Sequence, residues 1–243
     1  MPVHFPIELA HSRMLAPSVR HLAFRRVDGE PLAFIPGQFL QVHFEKDGAK
    51  TKRSYSVAST PGDPLIEIAV SYVPGGAATA LLSAISEGQS IEASGPFGRF
   101  CLLEADRNPR YLLIGTGTGI TPYRAMLPQI AGLIASRGLQ VALIQGVRDA
   151  GELLYGEEFQ AFAEAHPQHF HYYPCFSQQA RQTWYGDRAG RVHTVLPELK
   201  LDPAGDIAYL CGNPNMVDEV FNHLKDAGFP IPHVRREKYV SSK

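Results

Sequence analysis

The most informative segment of the chain is residues 111–122, which read Tyr-Leu-Leu-Ile-Gly-Thr-Gly-Thr-Gly-Ile-Thr-Pro. The apolar run Tyr111 to Ile114 predicts a buried strand. The three glycines after it predict a tight turn, in which the backbone can approach a pyrophosphate closely. Thr121 and Pro122 predict a helix start, with Thr121 as the cap and Pro122 in the first helical position. The spacing differs from the full G-x-G-x-x-G pattern, so a plain strand–helix connection is the alternative.

The sequence on the carboxyl side of this segment alternates between strand and helix patterns. Further strands are predicted at 140–146, 169–176 and 207–211, and helices from 121 to about 136, at 159–166 and at 215–227. Strands that alternate with helices indicate a parallel sheet with right-handed crossovers.

The sequence on the amino side is organised differently. Short strands are predicted at 39–44, 53–58 and 65–72, with a proline- and glycine-containing loop at 60–64 and one helix at 78–86. Many short strands at this spacing are typical of an antiparallel barrel. The fold class expected is therefore two domains, an antiparallel β-barrel domain at 1–105 followed by an α/β parallel-sheet domain at 106–243.

Composition excludes several functional classes. The 243 residues carry a formal net charge of −1, which gives no indication of nucleic-acid binding. No apolar stretch has the length of a membrane span, and residues 1–10 lack the pattern of a secretory signal. Three scattered cysteines cannot form a disulfide framework or an iron–sulfur ligand set, and His166, His169 and His171 lack the partners of a metal site. A cytoplasmic monomer without a bound metal is expected.

One barrel strand carries a motif that points to a family. Arg53-Ser54-Tyr55-Ser56 resembles the R-x-Y-S flavin motif of the ferredoxin–NADP reductase family. Six further matches follow in family order along nearly the whole chain: Gly76 to Thr79 (G-x-x-S/T), Gly95 to Gly98 (G-P-x-G), Gly115 to Pro122, Gly146 to Arg148 (G-x-R), Cys211 to Pro214 (C-G-x-P) and Glu237 to Tyr239 (E-x-Y/F). An ordered series is far more specific than any single motif.

The resemblance implies that the barrel binds FAD. Arg53 would pair with the FAD diphosphate, Tyr55 would stack on the flavin, and Ser56 would lie near flavin N5. The whole flavin-binding set implied is Arg53, Ser54, Tyr55, Ser56, Val70, Tyr72, Gly76, Ala77, Ala78 and Thr79.

The second domain would bind the nicotinamide dinucleotide. The residues implied are Gly117, Thr118, Gly119, Thr121, Pro122, Arg148, Ser177, Arg181, Arg191 and Tyr239. Cys211 would contact the nicotinamide, Glu237 would relay a proton, and Tyr239 would cover the flavin at the end of a tail that returns to it. With Ser56, these three form the implied catalytic set.

The activity implied is electron transfer between NAD(P)H and a separate one-electron carrier, ferredoxin or flavodoxin, by hydride transfer to flavin N5. Alternatives are a flavin reductase, the reductase component of an oxygenase, or a non-catalytic nucleotide-binding module. Ser177-Gln178 replaces the Ser-Arg of many NADP-specific relatives, whereas the chain length and Tyr239 resemble NADPH-dependent ones; both nucleotides stay open, with NADPH favoured. The candidates for a basic carrier-docking surface are Arg13, Arg20, Arg25, Arg26, Lys50 and Lys52.

Overall fold

The computed structural model describes residues 3–46 and 48–240. The chain divides between Leu102 and Leu103 into two compact units, three residues before the boundary placed from sequence. Residues 121–126 group with the first unit, which sequence did not foresee. We call 3–102 with 121–126 the N-terminal unit, and 103–120 with 127–240 the C-terminal unit.

The N-terminal unit is an antiparallel barrel. Its elements are β1 (Val3–Ala16), β2 (Val19–Arg26), β3 (Phe39–Lys46), β4 (Ala49–Ser56), β5 (Ile66–Ser71), the helix α1 (Ala77–Ala84) and β6 (Ser90–Phe97). The strand order is β4-β3-β6-β1-β2-β5. An antiparallel bridge between Val57 and Ile68, and a 2.7 Å hydrogen bond from Ala58 N to Glu67 O, join the first and last strands and close the barrel.

The barrel interior is filled by alternate residues of its strands. Phe5, Ile7 and Leu9 of β1 are each at most 3% exposed and belong to one apolar cluster. Their neighbours in the strand are more exposed, as expected where a strand has one face on the core. Strands β1, β2 and β6 were not predicted, because their histidine, arginine and serine residues obscure the apolar alternation.

The C-terminal unit is a parallel sheet with helices. Its elements are β7 (Arg110–Thr116), β8 (Gln140–Val147), α3 (Gly156–Ala165), β9 (Phe170–Phe176), β10 (Arg188–Ala189), β11 (Asp206–Gly212), α4 (Pro214–Asp226) and β12 (Val234–Lys238), together with the helix α2 (Thr121–Arg137) after its first six residues, which group with the N-terminal unit. The strand order is β10-β9-β8-β7-β11-β12, and every pairing is parallel. The predicted fold class, a barrel followed by a parallel α/β sheet, is confirmed.

The order of the strands positions the functional groups. Leu112, Leu113 and Ile114 of β7 are 0% exposed, as expected for a central strand covered on both faces. Because all strands run in one direction, the segments that follow them meet at the carboxyl edge of the sheet. The segment predicted as a C-terminal tail contains the edge strand β12, which pairs with β11. Residues 241–243 lie outside the described part of the chain.

Two further features of the structure concern membrane-spanning helices and groups of metal-binding side chains. Among residues 3–46 and 48–240, no helix is long and apolar enough to cross a membrane. Within the same residues, no group of three or more histidine, cysteine or acidic side chains is placed to hold a metal ion. The ring of His166 packs on Phe162 with centroids 4.5 Å apart, and His169 Nδ1 lies 2.9 Å from Gln140 Nε2.

Candidate functional site

The R-x-Y-S segment lies where the barrel closes. Beyond the bridge between Val57 and Ile68, strands β4 and β5 are no longer paired. Extending the antiparallel register of that bridge puts Tyr55 across from Val70, and Arg53 across from Tyr72. We call this unpaired stretch between the two strands the barrel seam.

The side chains of β4 at the seam differ in exposure. Tyr55 is half-buried and packs against the barrel core, and burial raises the pKa of its phenol to about 12. Its hydroxyl therefore stays protonated at neutral pH. Arg53 is partly exposed, and its Nη1 donates to the carbonyl of Lys52 at 2.9 Å. Ser54 is exposed and Ser56 is buried, on the other face of the strand.

The two residues of this region that sequence assigned to the flavin have different environments. Val70 is 4% exposed and its side chain belongs to the barrel core, so its assignment to the flavin stays a prediction. Tyr72 is 56% exposed, and its ring lies outside the core. An exposed aromatic ring beside Arg53 suits stacking on a planar ligand.

The turn that leads into α1 offers backbone donors. Gly76 is the N-cap and supplies no side-chain cap, and no acidic residue lies in the first turn. The amides of Ala77, Ala78 and Thr79 therefore have no acceptor within the helix, which is the arrangement that binds phosphate. The Thr79 hydroxyl oxygen accepts from Val73 N at 3.4 Å, so it braces the turn, and the threonine is only 5% exposed.

The glycine turn of the C-terminal unit is a short 3-10 helix, Gly117–Ile120, directly followed by α2. The N-cap of α2 is Ile120, so the prediction that Thr121 is the cap is wrong: Thr121 and Pro122 are its first two residues. The 3-10 turn already supplies the helical backbone that a cap residue would otherwise start. The Thr121 hydroxyl is buried, with no hydrogen-bond partner among the described residues.

Close packing explains why this turn needs glycine. A Cβ on Gly119 would lie 2.4 Å from the carbonyl oxygen of Cys211, and a Cβ on Gly212 would lie 2.5 Å from the carbonyl oxygen of Thr116. Gly117, with φ of 54°, faces open space instead. The turn therefore packs against the end of β11 on one side and leaves room for a ligand at Gly117 and Thr118 on the other.

The end of β11 brings three of the four implied catalytic residues together. Cys211 pairs in register with Glu237 of β12, and Tyr239 N donates to Gly212 O at 2.8 Å. Registered neighbours on adjacent strands project to the same face of a sheet. The fourth residue, Ser56, belongs to the N-terminal unit.

Burial dominates the electrostatics of this cluster. Burial raises the pKa of the Glu237 carboxyl to about 7, and no cation in the described part of the chain offsets this effect. Burial, with the neighbouring Glu237 as a smaller cause, also raises the pKa of the Cys211 thiol well above its usual value, although a hydrogen bond with Tyr239 acts in the opposite direction. Cys211 is 0% exposed and remains a thiol, whereas Glu237 can gain or lose a proton near neutrality.

Two of the three cations assigned to the dinucleotide have intramolecular partners. Arg148 pairs with Glu152, with 2.9 Å between Nε and Oε2. Arg181 forms two hydrogen bonds, of 3.1 and 2.9 Å, with Asp187. The hydroxyl of Ser177 donates to Val147 O at 3.2 Å, and Arg191 is exposed just before the 3-10 helix Val192–Leu199.

Two residues at the carboxyl edge were missed from sequence. Thr116 Oγ1 accepts from Asn213 N at 3.1 Å and ties the glycine turn to the end of β11. Asp149 follows β8 and lines a cavity with Arg181. The G-x-R match ended one residue before Asp149, so an acidic residue after the second strand of the sheet was the available signal.

Comparison with known families assigns each unit. The model of the oxidoreductase FAD-binding domain matches residues 6–101, and that of the oxidoreductase NAD-binding domain matches 113–221. Ferredoxin–NADP reductase B of Sorangium cellulosum is 34% identical over 243 residues, which cover 97% of each chain. This chain belongs to the ferredoxin–NADP reductase family. The reductase is therefore an FAD- and NAD(P)-binding oxidoreductase.

Two further relatives show the range of this family. The toluate 1,2-dioxygenase electron transfer component of Pseudomonas putida is 31% identical to the reductase. The matched region covers 96% of the reductase and 67% of that relative. The crystal structure of a cytochrome P450 reductase from Amycolatopsis is 29% identical and superposes with a TM-score of 0.85, covering 99% of the reductase and 71% of that chain.

The residues present fit the two cofactors. In the N-terminal unit, the free amides at the start of α1 and the Arg53 guanidinium suit a diphosphate, and Tyr55 and Tyr72 suit a planar ring. In the C-terminal unit, the open space at Gly117 suits a second diphosphate.

Proposed function

We propose that this reductase passes electrons from a reduced nicotinamide dinucleotide, through FAD, to a separate one-electron carrier protein, a ferredoxin or a flavodoxin. The observation that carries the proposal is the Cys211–Glu237–Tyr239 cluster beside the glycine turn. It combines a dinucleotide-binding turn with a carboxyl whose pKa is about 7. Bound FAD supplies the exchange between a two-electron donor and one-electron steps.

The N-terminal unit holds FAD at the barrel seam. Arg53 binds the diphosphate, because a guanidinium matches phosphate geometry. Among the described residues its side chain bonds only to the carbonyl of Lys52, which leaves other donors for a ligand. The amides of Ala77 to Thr79 bind the same group. Tyr55 presents its ring to the flavin, and the buried Ser56 donates a hydrogen bond near the reacting atom.

The C-terminal unit holds and orients the nicotinamide dinucleotide. Gly117 and Thr118 approach its diphosphate through their backbone. Cys211 presents a small neutral thiol at the end of β11, where a parallel sheet binds its ligands. Glu237 holds a proton below pH 7 and releases it above, and Tyr239 excludes water from this end of the site.

The carrier is expected to be a separate protein with an acidic docking face. The 243 residues contain three cysteines, one fewer than the four thiolates of an iron–sulfur cluster, and all three are buried. Several docking candidates are engaged within the barrel. Arg20 binds the carbonyls of Leu82, Ser83 and Ile85 at the end of α1, Arg25 lies 3.6 Å from Glu8, and Arg26 pairs with Asp28. Lys50 and Lys52 of β4 remain exposed beside Arg53.

The test is a reconstituted electron-transfer assay with the purified reductase. Reduction of cytochrome c by NADH or NADPH should rise at least about tenfold when a ferredoxin or a flavodoxin is added. Charge complementarity steers such a carrier to its docking surface, and the reduced carrier then passes its electron to cytochrome c. The stimulation should decrease as salt is raised. Equal rates with and without each carrier, at every salt concentration, would contradict the carrier assignment.

Arg53→Ala tests the placement of FAD. We expect the variant to lose its flavin on dialysis, with a Kd for FAD raised about 100-fold, because a charge-assisted contact to the diphosphate is removed. Arg25→Ala is the matched control, since it removes an arginine that is 58% exposed on the same barrel. A variant that keeps FAD as tightly as Arg25→Ala would show that the diphosphate lies elsewhere.

Similarity to the toluate 1,2-dioxygenase component supports a second candidate function, the supply of electrons to an oxygenase. The carrier would then belong to that oxygenase system. The same assay separates the two, because an oxygenase reductase should reduce its own oxygenase partner in preference to a general ferredoxin.

A further inference from the structure

The carboxyl edge of the parallel sheet contains a cavity away from the glycine turn. Its volume is about 270 Å³, and its lining comes from two segments, Asp149 to Gly151 after β8 and Gln179 to Arg181 after β9. The sheet order β9-β8-β7 places these segments one and two strands from the strand that ends in the glycine turn. Two strand spacings are about 10 Å. A dinucleotide whose diphosphate lies at Gly117 would therefore extend its adenosine half toward this cavity.

Asp149, the one carboxylate among the described residues that line the cavity, is held in a fixed orientation. Asp149 Oδ1 accepts from Gly151 N at 2.9 Å, as the cap of the short 3-10 helix Ala150–Glu152. Asp149 Oδ2 makes no hydrogen bond to another of the described residues. A fixed carboxylate with a free oxygen can accept hydrogen bonds from the two hydroxyls of an unmodified ribose, and it repels a phosphate on the same ring.

The guanidinium that lines the cavity is committed to the protein. Arg181 is bound through Nε and Nη2 to Asp187, whose side chain is 3% exposed and also accepts from Thr183 N and Trp184 N. This ion pair shapes the loop after β9. Releasing Arg181 to a ligand would leave a buried carboxylate without its cation, which is costly.

Two further arginines of these segments, Arg148 and Arg188, are also paired. Arg148 binds Glu152, and Arg188 binds Glu198, with 2.9 Å between Nε and Oε2. Residue 178, directly after the Ser177 that follows β9, is a glutamine. Arg191 is exposed but does not line the cavity, so the charge free to meet a ligand among the lining residues is that of Asp149.

We infer that Asp149 makes this reductase selective for NADH over NADPH by binding the adenosine ribose hydroxyls in this cavity. The inference rests on the proposed function, whose dinucleotide site it specifies. It opposes the preference for NADPH that chain length and the terminal tyrosine favoured, since neither of those features lies at the ribose.

The experiment compares the two nucleotides with the FAD-loaded full chain. We expect kcat/KM for NADH to exceed that for NADPH by about tenfold or more, because the Asp149 carboxylate repels the additional phosphate of NADPH. Asp149→Asn keeps the oxygen that caps Gly151 but removes the charge, and it should lower this ratio about tenfold. Glu157→Gln, an exposed residue of α3, is the control with the same charge change and should leave the ratio unaltered.

A second arm does not depend on flavin. Calorimetric titration should show that 5′-AMP binds the wild-type protein more tightly than 2′,5′-ADP, and that Asp149→Asn reduces the difference. Equal or tighter binding of 2′,5′-ADP, an unchanged kcat/KM ratio in Asp149→Asn, or binding of neither fragment would overturn the inference. If the fragments behave as expected but neither nucleotide reduces the flavin, the proposed function fails and the selectivity of the cavity stands.

Discussion

Two half-buried glutamates, one in each unit, respond to burial in opposite ways. In the N-terminal unit, burial alone would raise the pKa of Glu67, but hydrogen bonds from His21 and Arg124 outweigh it and lower that pKa to about 2. In the C-terminal unit, burial acts on Glu237 without a cation and raises its pKa to about 7. The same residue type is thus locked as a carboxylate in one place and poised to exchange a proton in the other.

The difference follows from the neighbours. Glu67 Oε1 lies 3.3 Å from His21 Nε2, and Arg124 contacts the other carboxylate oxygen while donating to Ala58 O at 2.9 Å. Glu237 lies in register with the neutral thiol of Cys211. A charge that is paired on burial serves stability, and one that is left unpaired is a candidate for chemistry.

The largest expected effect is on turnover. Glu237→Gln cannot exchange a proton, so we expect carrier reduction at pH 7 to fall on the order of 100-fold, within the range of general acid–base catalysis. The wild-type pH–rate profile should have an inflection near 7 that the variant lacks. Steady-state rates from pH 5.5 to 8.5 measure both, with the exposed Glu164→Gln of α3 as control. A variant with a wild-type profile would remove Glu237 from the chemistry.

The next effect is on stability, and its sign differs between the two residues. The unfolded chain binds more protons at Glu67 between pH 4.5 and 2, so this residue stabilises the fold above pH 4.5, and that stability is lost as the pH falls toward 2. At Glu237 the folded chain binds more protons between pH 4.5 and 7, so stability falls as the pH rises through that window.

Denaturant titrations across pH test this contrast. Glu67→Gln should flatten the rise of the unfolding free energy between pH 2 and 4.5, and Glu237→Gln should flatten its fall between 4.5 and 7. Glu8→Gln, on the exposed side of the barrel, should change neither slope. If Glu67→Gln retains the acid slope of the wild type, the ion pairs with His21 and Arg124 do not form in solution.

In both candidate sites, the backbone turns were easier to predict from the sequence than the partners of the charged side chains. Backbone features carry their own signals: the glycine turn at 115–119 could be predicted from a local pattern, and the turn at Gly76 followed from the family resemblance. The partners of charged side chains could not. Arg181 was predicted to bind the dinucleotide. In the structure it binds Asp187, because the conformation of the loop after β9 brings these two side chains together.

Strand assignments failed for a related reason. Val234–Lys238 contains only one apolar residue, so the segment was predicted as a tail, whereas backbone pairing with β11 makes it an edge strand. Edge strands need little apolar sequence, since a single neighbour supplies their hydrogen bonds. For Val70, the strand pattern alone did not show which face of β5 the barrel encloses, and the structure places its side chain in the core.

The smallest expected effect concerns Tyr239, which follows β12 and contacts Cys211. Its backbone is fixed by the bond to Gly212 O, so its ring stays at the end of the site where the nicotinamide would bind. Tyr239→Ser should tighten binding of oxidised dinucleotide about threefold to tenfold, because the ring no longer competes for that place. Tyr239→Phe keeps the ring and loses only the hydroxyl, so its affinity should match the wild type. Spectral titration of the two variants separates the roles: unchanged affinity in Tyr239→Ser would assign Tyr239 to support of the Cys211–Glu237 pair, and equal tightening in both would assign the effect to the hydroxyl.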